Sequence, residues 1–133
     1  MLKANILNTY RIIAIIGLSP DPNRPSHRVA EYLISQGYKV IPVNPDAKEI
    51  LGVKSYSDMK SIPEPIEIVD IFRRSEEVMP IVDDAINIGA KVVWMQEGVI
   101  NEKAALRARD AGLLVVMDRC MLKEHKRLNK KHD

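Results

Sequence analysis

The sequence predicts an α/β protein: a doubly wound parallel sheet of five or six strands, covered by helices on both faces in a three-layer αβα arrangement. Three observations predict it. Short Ile- and Val-rich runs recur along the chain, as strands buried on both faces require. Amphipathic stretches with helical spacing alternate with them, the pattern of βαβ units. The 133 residues show no repeat, low-complexity segment or linker, and that length suits one domain. One domain over residues 1–133 is therefore expected, with 130–133 as a frayed tail.

The first strand is expected over 12–17, an apolar run that stops at Gly17. A helix comes next, from Pro25 or Ser26 to Gln36, with Val29, Ala30, Leu33 and Ile34 spaced to face the sheet and Gly37 ending it. The second strand is expected over 39–43. The next stretch is irregular, with Pro45, Gly52, Pro63 and Pro65, a weak sixth strand over 53–56 and a helical turn at Ser57-Asp58-Met59. Strands over 68–72, 92–95 and 114–117 complete the sheet. Between them lie a helix over 76–88, capped by Ser75 and ended by Gly89, and one from Asn101 to Gly112. A last helix runs from Met121 to about Leu128.

Composition excludes several classes. An apolar content of 46% with 29% charged residues is that of a soluble globular protein. A net charge of +2 makes no case for nucleic acid, and the basic run Lys123, Lys126, Arg127, Lys130 and Lys131 reads as a solvated helix face. The apolar runs are too short to cross a membrane, and the start lacks the pattern of a secretory signal. The single Cys120 forbids an internal disulfide and suits a cytoplasmic location. A homodimer stays open.

In open parallel sheets, ligands bind beyond the carboxyl ends of the strands. The expected strand ends gather Gly17-Leu18-Ser19, Val43-Asn44-Pro45, Phe72-Arg73-Arg74-Ser75, Trp94 with Gln96-Glu97-Gly98, and Asp118-Arg119-Cys120. Gly17 permits close backbone approach or a positive φ. Ser19 and Ser26 offer hydroxyls, Ser26 also as a helix cap. Arg24 and Arg28 bracket a helix start, where unpaired N–H groups and the dipole favour an anion. An ordinary capped turn accounts for the same residues equally well. Phe72 and Arg73 join an aromatic plane to a cation, suited either to a base with its phosphates or to core and surface. Trp94 lies on a buried strand and fits the core as well as a site.

His27 has no nucleophile at a recognisable spacing and reads as structural or ligand-lining. His125 and His132 are expected to be solvated, and no cluster has metal-ligand spacing. For NAD, the second strand should end near an acid, but here Asp46 comes after Pro45, and the glycine fingerprint is missing. The Walker lysine loop is missing too. What remains is a ligand with a base and phosphates approached by arginines.

The set Gly17-Leu18-Ser19, Asn23-Arg24-Pro25-Ser26, Val43-Asn44-Pro45, Val69-Asp70-Ile71-Phe72-Arg73-Arg74, Trp94-Met95-Gln96-Glu97-Gly98 and Asp118-Arg119-Cys120-Met121 resembles the small stand-alone CoA-binding proteins of prokaryotes. The resemblance runs from about Tyr10 to Leu128 and implies a Rossmann-like domain, related to the CoA-binding domain of the succinyl-CoA synthetase α-subunit. It implies that Gly17, Leu18, Ser19 and Asn23, Arg24, Pro25 and Ser26 surround the pyrophosphate and its neighbourhood. Val43, Asn44, Pro45, Phe72 and Arg73 would flank the adenosine, with Gln96, Glu97 and Gly98 on the pantetheine side and Trp94 as a further cofactor-binding candidate. Lys48 loosely matches a lysine that meets the ribose 3′-phosphate. The expected function is non-catalytic binding of CoA or an acyl-CoA. The alternatives are a CoA-dependent ligase or transferase subunit that needs a partner chain, a thiol at Cys120 that forms a mixed disulfide with CoA, and an NAD-binding module.

Overall fold

The computed structural model describes residues 2–132, with side chains through 130. Helix α1 (Leu2–Thr9) precedes strand β1 (Ile12–Ile16), helix α2 (Pro25–Ser35) and strand β2 (Lys39–Val43). A hairpin of β3 (Glu49–Ile50) and β4 (Val53–Lys54) leads to β5 (Ile68–Ile71), α3 (Val78–Asn87), β6 (Val92–Met95), α4 (Glu102–Asp110), β7 (Leu114–Val116) and α5 (Met121–His132).

The main sheet has five strands in the order β2-β1-β5-β6-β7, every neighbouring pair parallel. Alternate residues of each strand point to opposite faces, and two cores result from that period. Ile13, Ile15, Ile68, Val92 and Trp94 pack under α1, α2 and α5, against Ile6, Leu7, Val29, Leu33 and Met121. Ala14, Ile16, Val69, Ile71, Val93 and Met95 pack under α3 and α4, against Val78, Val82, Ala85, Ala104 and Ala108. The result is the expected Rossmann-like three-layer arrangement. Among the described residues, no helix is long and apolar enough to cross a membrane.

Local chemistry sets the element ends. Pro25 opens α2, where its missing N–H costs nothing. Asn101 caps α4 by accepting from the Ala104 N–H (2.9 Å). Pro42 sits in β2, an edge strand, which tolerates proline. The Tyr56 N–H donates to the Pro42 carbonyl (3.0 Å) and the Asn44 N–H to the Tyr56 carbonyl (2.9 Å), so the segment after the hairpin lies along that edge.

Several expectations need correction. The weak sixth strand is no part of the main sheet: only Val53–Lys54 pair, in a separate antiparallel hairpin, and Tyr56 adds a single bridge to Val43. Helix α1 was not anticipated. The helix expected from 76 starts at Val78 behind a 3-10 turn, Ser75–Glu77. Ser75 does not cap it, because its hydroxyl accepts from the Ile100 N–H (2.9 Å). Ser26 does not cap α2 either: Arg24 holds the cap position, and Ser26 Oγ accepts from the Ser19 N–H (3.0 Å). Ile34, expected on the sheet face, is 37% exposed. Helix α5 continues through the expected tail to His132, and Asp133 lies outside the described residues.

Candidate functional site

The chain leaves β1 toward β2 on one side and later builds β5, β6 and β7 on the other. The loops after β1 and β5 therefore diverge and leave a crevice at the carboxyl edge. Gly17 sits at its centre with φ +86°, and a Cβ there would run into the Phe72 carbonyl and come within 2.9 Å of Arg73 Cδ. Its N–H donates to the Val43 carbonyl (2.9 Å), so the ends of β1, β2 and β5 meet at this residue.

Three connected depressions run along the edge. The first, about 260 Å³, is walled by Gly17, Val43, Pro45, Arg73 and Glu77. The second, about 460 Å³, shares Arg73 and Glu77 and adds Phe72, Gln96 and Glu97. The third, about 390 Å³, shares Glu97 and continues to Asp118, Arg119, Cys120 and Lys123.

The side chains around them are mostly paired. Arg73 Nε lies 3.5 Å from Glu77 Oε2 and stays half-exposed. Glu77 is held below the usual carboxylate range, chiefly by its hydrogen bond from Arg74. Lys123 Nζ meets Glu97 at 2.9 Å, and that bond raises the lysine pKa. Glu124 is buried and accepts from Arg127 (2.9 Å).

Asn44 fastens the loops after β1 and β2. Its Nδ2 donates to the Leu18 carbonyl (2.9 Å) and its Oδ1 accepts from the Asp46 N–H (2.8 Å). The 19–27 loop is bonded to itself: Asp21 N–H to Ser19 Oγ (3.0 Å), Asn23 N–H to Asp21 Oδ1 (2.9 Å), and His27 Nδ1 to the Ser19 carbonyl (3.0 Å). His27 is thus structural in this loop.

Of the residues expected at the site, Gly17, Val43, Pro45, Phe72, Arg73, Gln96 and Glu97 line the depressions. Gly98 lies in the adjoining loop, where its N–H donates to Asp118 Oδ1 (2.7 Å). Ser19, Asn23, Arg24, Pro25 and Ser26 line none of the three, and Asn23, Arg24 and Pro25 stand exposed beside the start of α2. Two of the expected residues keep their side chains out of the depressions. Trp94 is wholly enclosed with its Nε1 donating to the Arg119 carbonyl (2.9 Å), and the Leu18 side chain is wholly enclosed as well. Both belong to the core. His125 is also buried, not solvated: its Nδ1 meets the Tyr32 hydroxyl at 2.6 Å, and burial, then Arg11, lowers its pKa. The His132 side chain lies outside those described.

Two residues beside the site stand in the sequence motifs but were given no role there. Asp118 adopts φ +59° and braces Gly98; an acid directly after a strand, of a type that tolerates this conformation, was the available signal. Asp70 lies wholly buried in β5, the central strand, and burial pushes its pKa up to about 8 against the opposing hydrogen bond from Gln96. The bond runs from Gln96 Nε2 to Asp70 Oδ1 (2.6 Å). The signal was an acid inside an otherwise apolar run.

A family model described as a CoA binding domain matches residues 11–126. The chain belongs to the CoA-binding domain family. Relatives of this CoA-binding-domain protein agree. The uncharacterized protein YneT of Bacillus subtilis (strain 168) is 42% identical over 120 residues, 90% of this chain and 89% of that protein. The solved structure of a hypothetical protein from Pyrococcus horikoshii OT3 superposes with a TM-score of 0.93 at 45% identity, covering 96% of this chain and 89% of that one. The alpha subunit of the ADP-forming acetate–CoA ligase II of Pyrococcus furiosus is 42% identical over 62 residues, 46% of this chain and 14% of the subunit. This CoA-binding domain is thus related to a ligase subunit as well as to small proteins of its own size.

Proposed function

We propose that the protein binds coenzyme A, free or acylated, along the carboxyl edge of its sheet, without catalysing a reaction on it. The run of adjoining depressions, with Arg73 in the wall shared by the first two and Glu97 in the wall shared by the second and third, carries this reading. A ligand with a base and phosphates at one end and a long polar arm at the other suits such a run. The missing Cβ of Gly17 lets backbone approach the crevice. Arg73 beside it and Arg24 at the uncapped start of α2 supply cations for phosphate. Val43, Pro45 and Phe72 offer apolar surface for the adenosine, and Gln96, Glu97 and Gly98 flank the pantetheine arm. The exposed Lys48 is the proposed contact for the 3′-phosphate. The single cysteine suits a reducing compartment, and the cytoplasm is the proposed location.

Calorimetric titration with CoA, 3′-dephospho-CoA and NAD tests the reading. CoA is expected to bind, and to bind less tightly without its 3′-phosphate. Replacing Arg24 and Arg73 together by alanine is expected to weaken CoA at least tenfold, the effect of about 1.4 kcal/mol, while the protein stays folded. Unchanged affinity in the folded double variant, or binding of NAD alone, would overturn it.

A further inference from the structure

Arg73 stands in the wall shared by the first two depressions. Its guanidinium is less committed than those of the other arginines lining this edge. Arg74 gives Nη2 to Glu77 (3.3 Å), Arg119 gives Nη1 to the Asp118 carbonyl (2.7 Å), and Arg127 gives Nη1 to Glu124 (2.9 Å). Arg73 is paired through Nε alone, 3.5 Å from Glu77 Oε2, and neither terminal nitrogen has a partner among the described residues. Those two nitrogens form a free fork, the geometry that matches a phosphate. A long, half-exposed side chain ordinarily samples many rotamers, so a fork held in one place needs constraints. The structure supplies two. Near its root, Arg73 Cδ lies against the space left by Gly17, only 2.9 Å from where a Cβ would stand. At its head, Glu77 meets the Nε edge from one helical turn away.

Glu77 can serve in this way because it is itself anchored. Its Oε2 also accepts from the Arg74 N–H (3.2 Å), its Oε1 accepts from Arg74 Nη2 (3.3 Å), and its own N–H donates to the Arg74 carbonyl (2.9 Å). These bonds close the 3-10 turn Ser75–Glu77 that leads into α3, so the carboxylate is tied to backbone and not to a mobile side chain alone. We propose that Glu77 is a positioning residue for the ligand site: it holds Arg73 by the Nε edge and leaves both terminal nitrogens for a phosphate. Its effect on affinity rests on the CoA reading above. An exposed ion pair is weak by itself. What this one supplies is direction, which spares the ligand the cost of ordering a long side chain. Glu77 also lines both depressions, so its charge stands near any phosphate held by Arg73. Losing the contact should therefore weaken binding, whereas losing the charge alone should not. Glutamine separates the two, because its oxygen in the place of Oε2 keeps the contacts to Arg73 Nε and the Arg74 N–H without the charge.

The test joins calorimetric CoA titration to ¹⁵N NMR of the arginine side chains in ligand-free protein. Glu77→Ala is expected to weaken CoA about fivefold, and Glu77→Gln to restore most of that loss. In a protein already carrying Arg73→Ala, adding Glu77→Ala is expected to bring no further loss, because Glu77 acts through Arg73. The Arg73 Nε–H resonance, assigned by its absence from Arg73→Ala, is expected to stand apart from those of freely rotating arginines in the wild type and in Glu77→Gln. In Glu77→Ala it is expected to join them. Equal or tighter binding in Glu77→Ala would mean that the carboxylate competes with the ligand. A loss of the same size without Arg73 would mean that Glu77 acts through the turn before α3. Either result overturns the inference, as does an Arg73 resonance that ignores Glu77→Ala. If the wild type binds no CoA, the CoA reading falls, and the resonance alone decides whether Glu77 holds Arg73.

Discussion

Replacing Gly17 and Gly37 by alanine, one at a time, separates backbone strain from steric contact. Both adopt nearly the same left-handed conformation, φ +86° and +90°. A side chain in that region costs roughly 1–2 kcal/mol, offset at both sites by the stiffer unfolded chain, about 0.4–1 kcal/mol. Their surroundings differ. A Cβ at Gly37 meets nothing within 4 Å, whereas one at Gly17 strikes the Phe72 carbonyl and approaches Arg73 Cδ at 2.9 Å. A backbone carbonyl cannot step aside as a flexible side chain can. Overpacking of this kind adds about 1–3 kcal/mol. Gly17→Ala should therefore lose about 1–3 kcal/mol more than Gly37→Ala, near 1 M in urea midpoint at a slope of about 2 kcal/mol/M. It should also weaken CoA, because Phe72 and Arg73 must move, while Gly37→Ala leaves CoA unaffected. Equal losses of stability in the two variants would refute the claim that strand ends meet at Gly17.

Asp70 makes stability depend on pH. Its folded pKa, about 8, lies above the unfolded value near 3.9, so the folded state holds the proton more tightly. That contribution is fully present below about pH 4 and is lost as pH rises through 8, at roughly 1.4 kcal/mol per unit. Between pH 5 and 7, Asp70→Asn should gain roughly 3 kcal/mol on the wild type in urea unfolding; a difference constant with pH would count against a buried neutral acid. Asn44→Ala frees the Leu18 carbonyl and the Asp46 N–H, and calorimetric melting should show a loss of about 1–3 kcal/mol. Glu67 Oε1 accepts from the Arg11 and Ile12 N–H groups at 2.8 and 3.0 Å. Glu67→Ala should speed hydrogen exchange at those two amides, and Glu67→Gln should largely restore protection.

Much of this fold was legible because each apolar run ends in a residue that cannot continue it, such as Gly17, Gly37, Gly89 or Gly112. The position of the site was legible in the residues just beyond each strand. Long-range partners were not. Ser75 reads as a local cap until its hydroxyl is found on Ile100, 25 residues away, and Asp70 reads as an oddity until Gln96, 26 residues on, is seen bonded to it. Helix α1 escaped notice because its buried residues, Ile6 and Leu7, are adjacent and trace no stripe. Trp94 admitted two readings, and its place among Ile13, Val92 and Met121 decided for the core.

The segment lying against β2 also bears on how this protein meets its own kind. An outermost strand is an invitation to pair with another chain, and here that invitation is withdrawn on one side. Pro42 offers no N–H, its carbonyl is already held by Tyr56, and Tyr56 in turn engages Asn44. The opposite margin, β7, has no strand beyond it among the described residues and leaves Leu114 39% exposed. Extension of the sheet by a second molecule is therefore hindered at the carboxyl end of β2, and at β7 Leu114→Lys is the change that would discourage it.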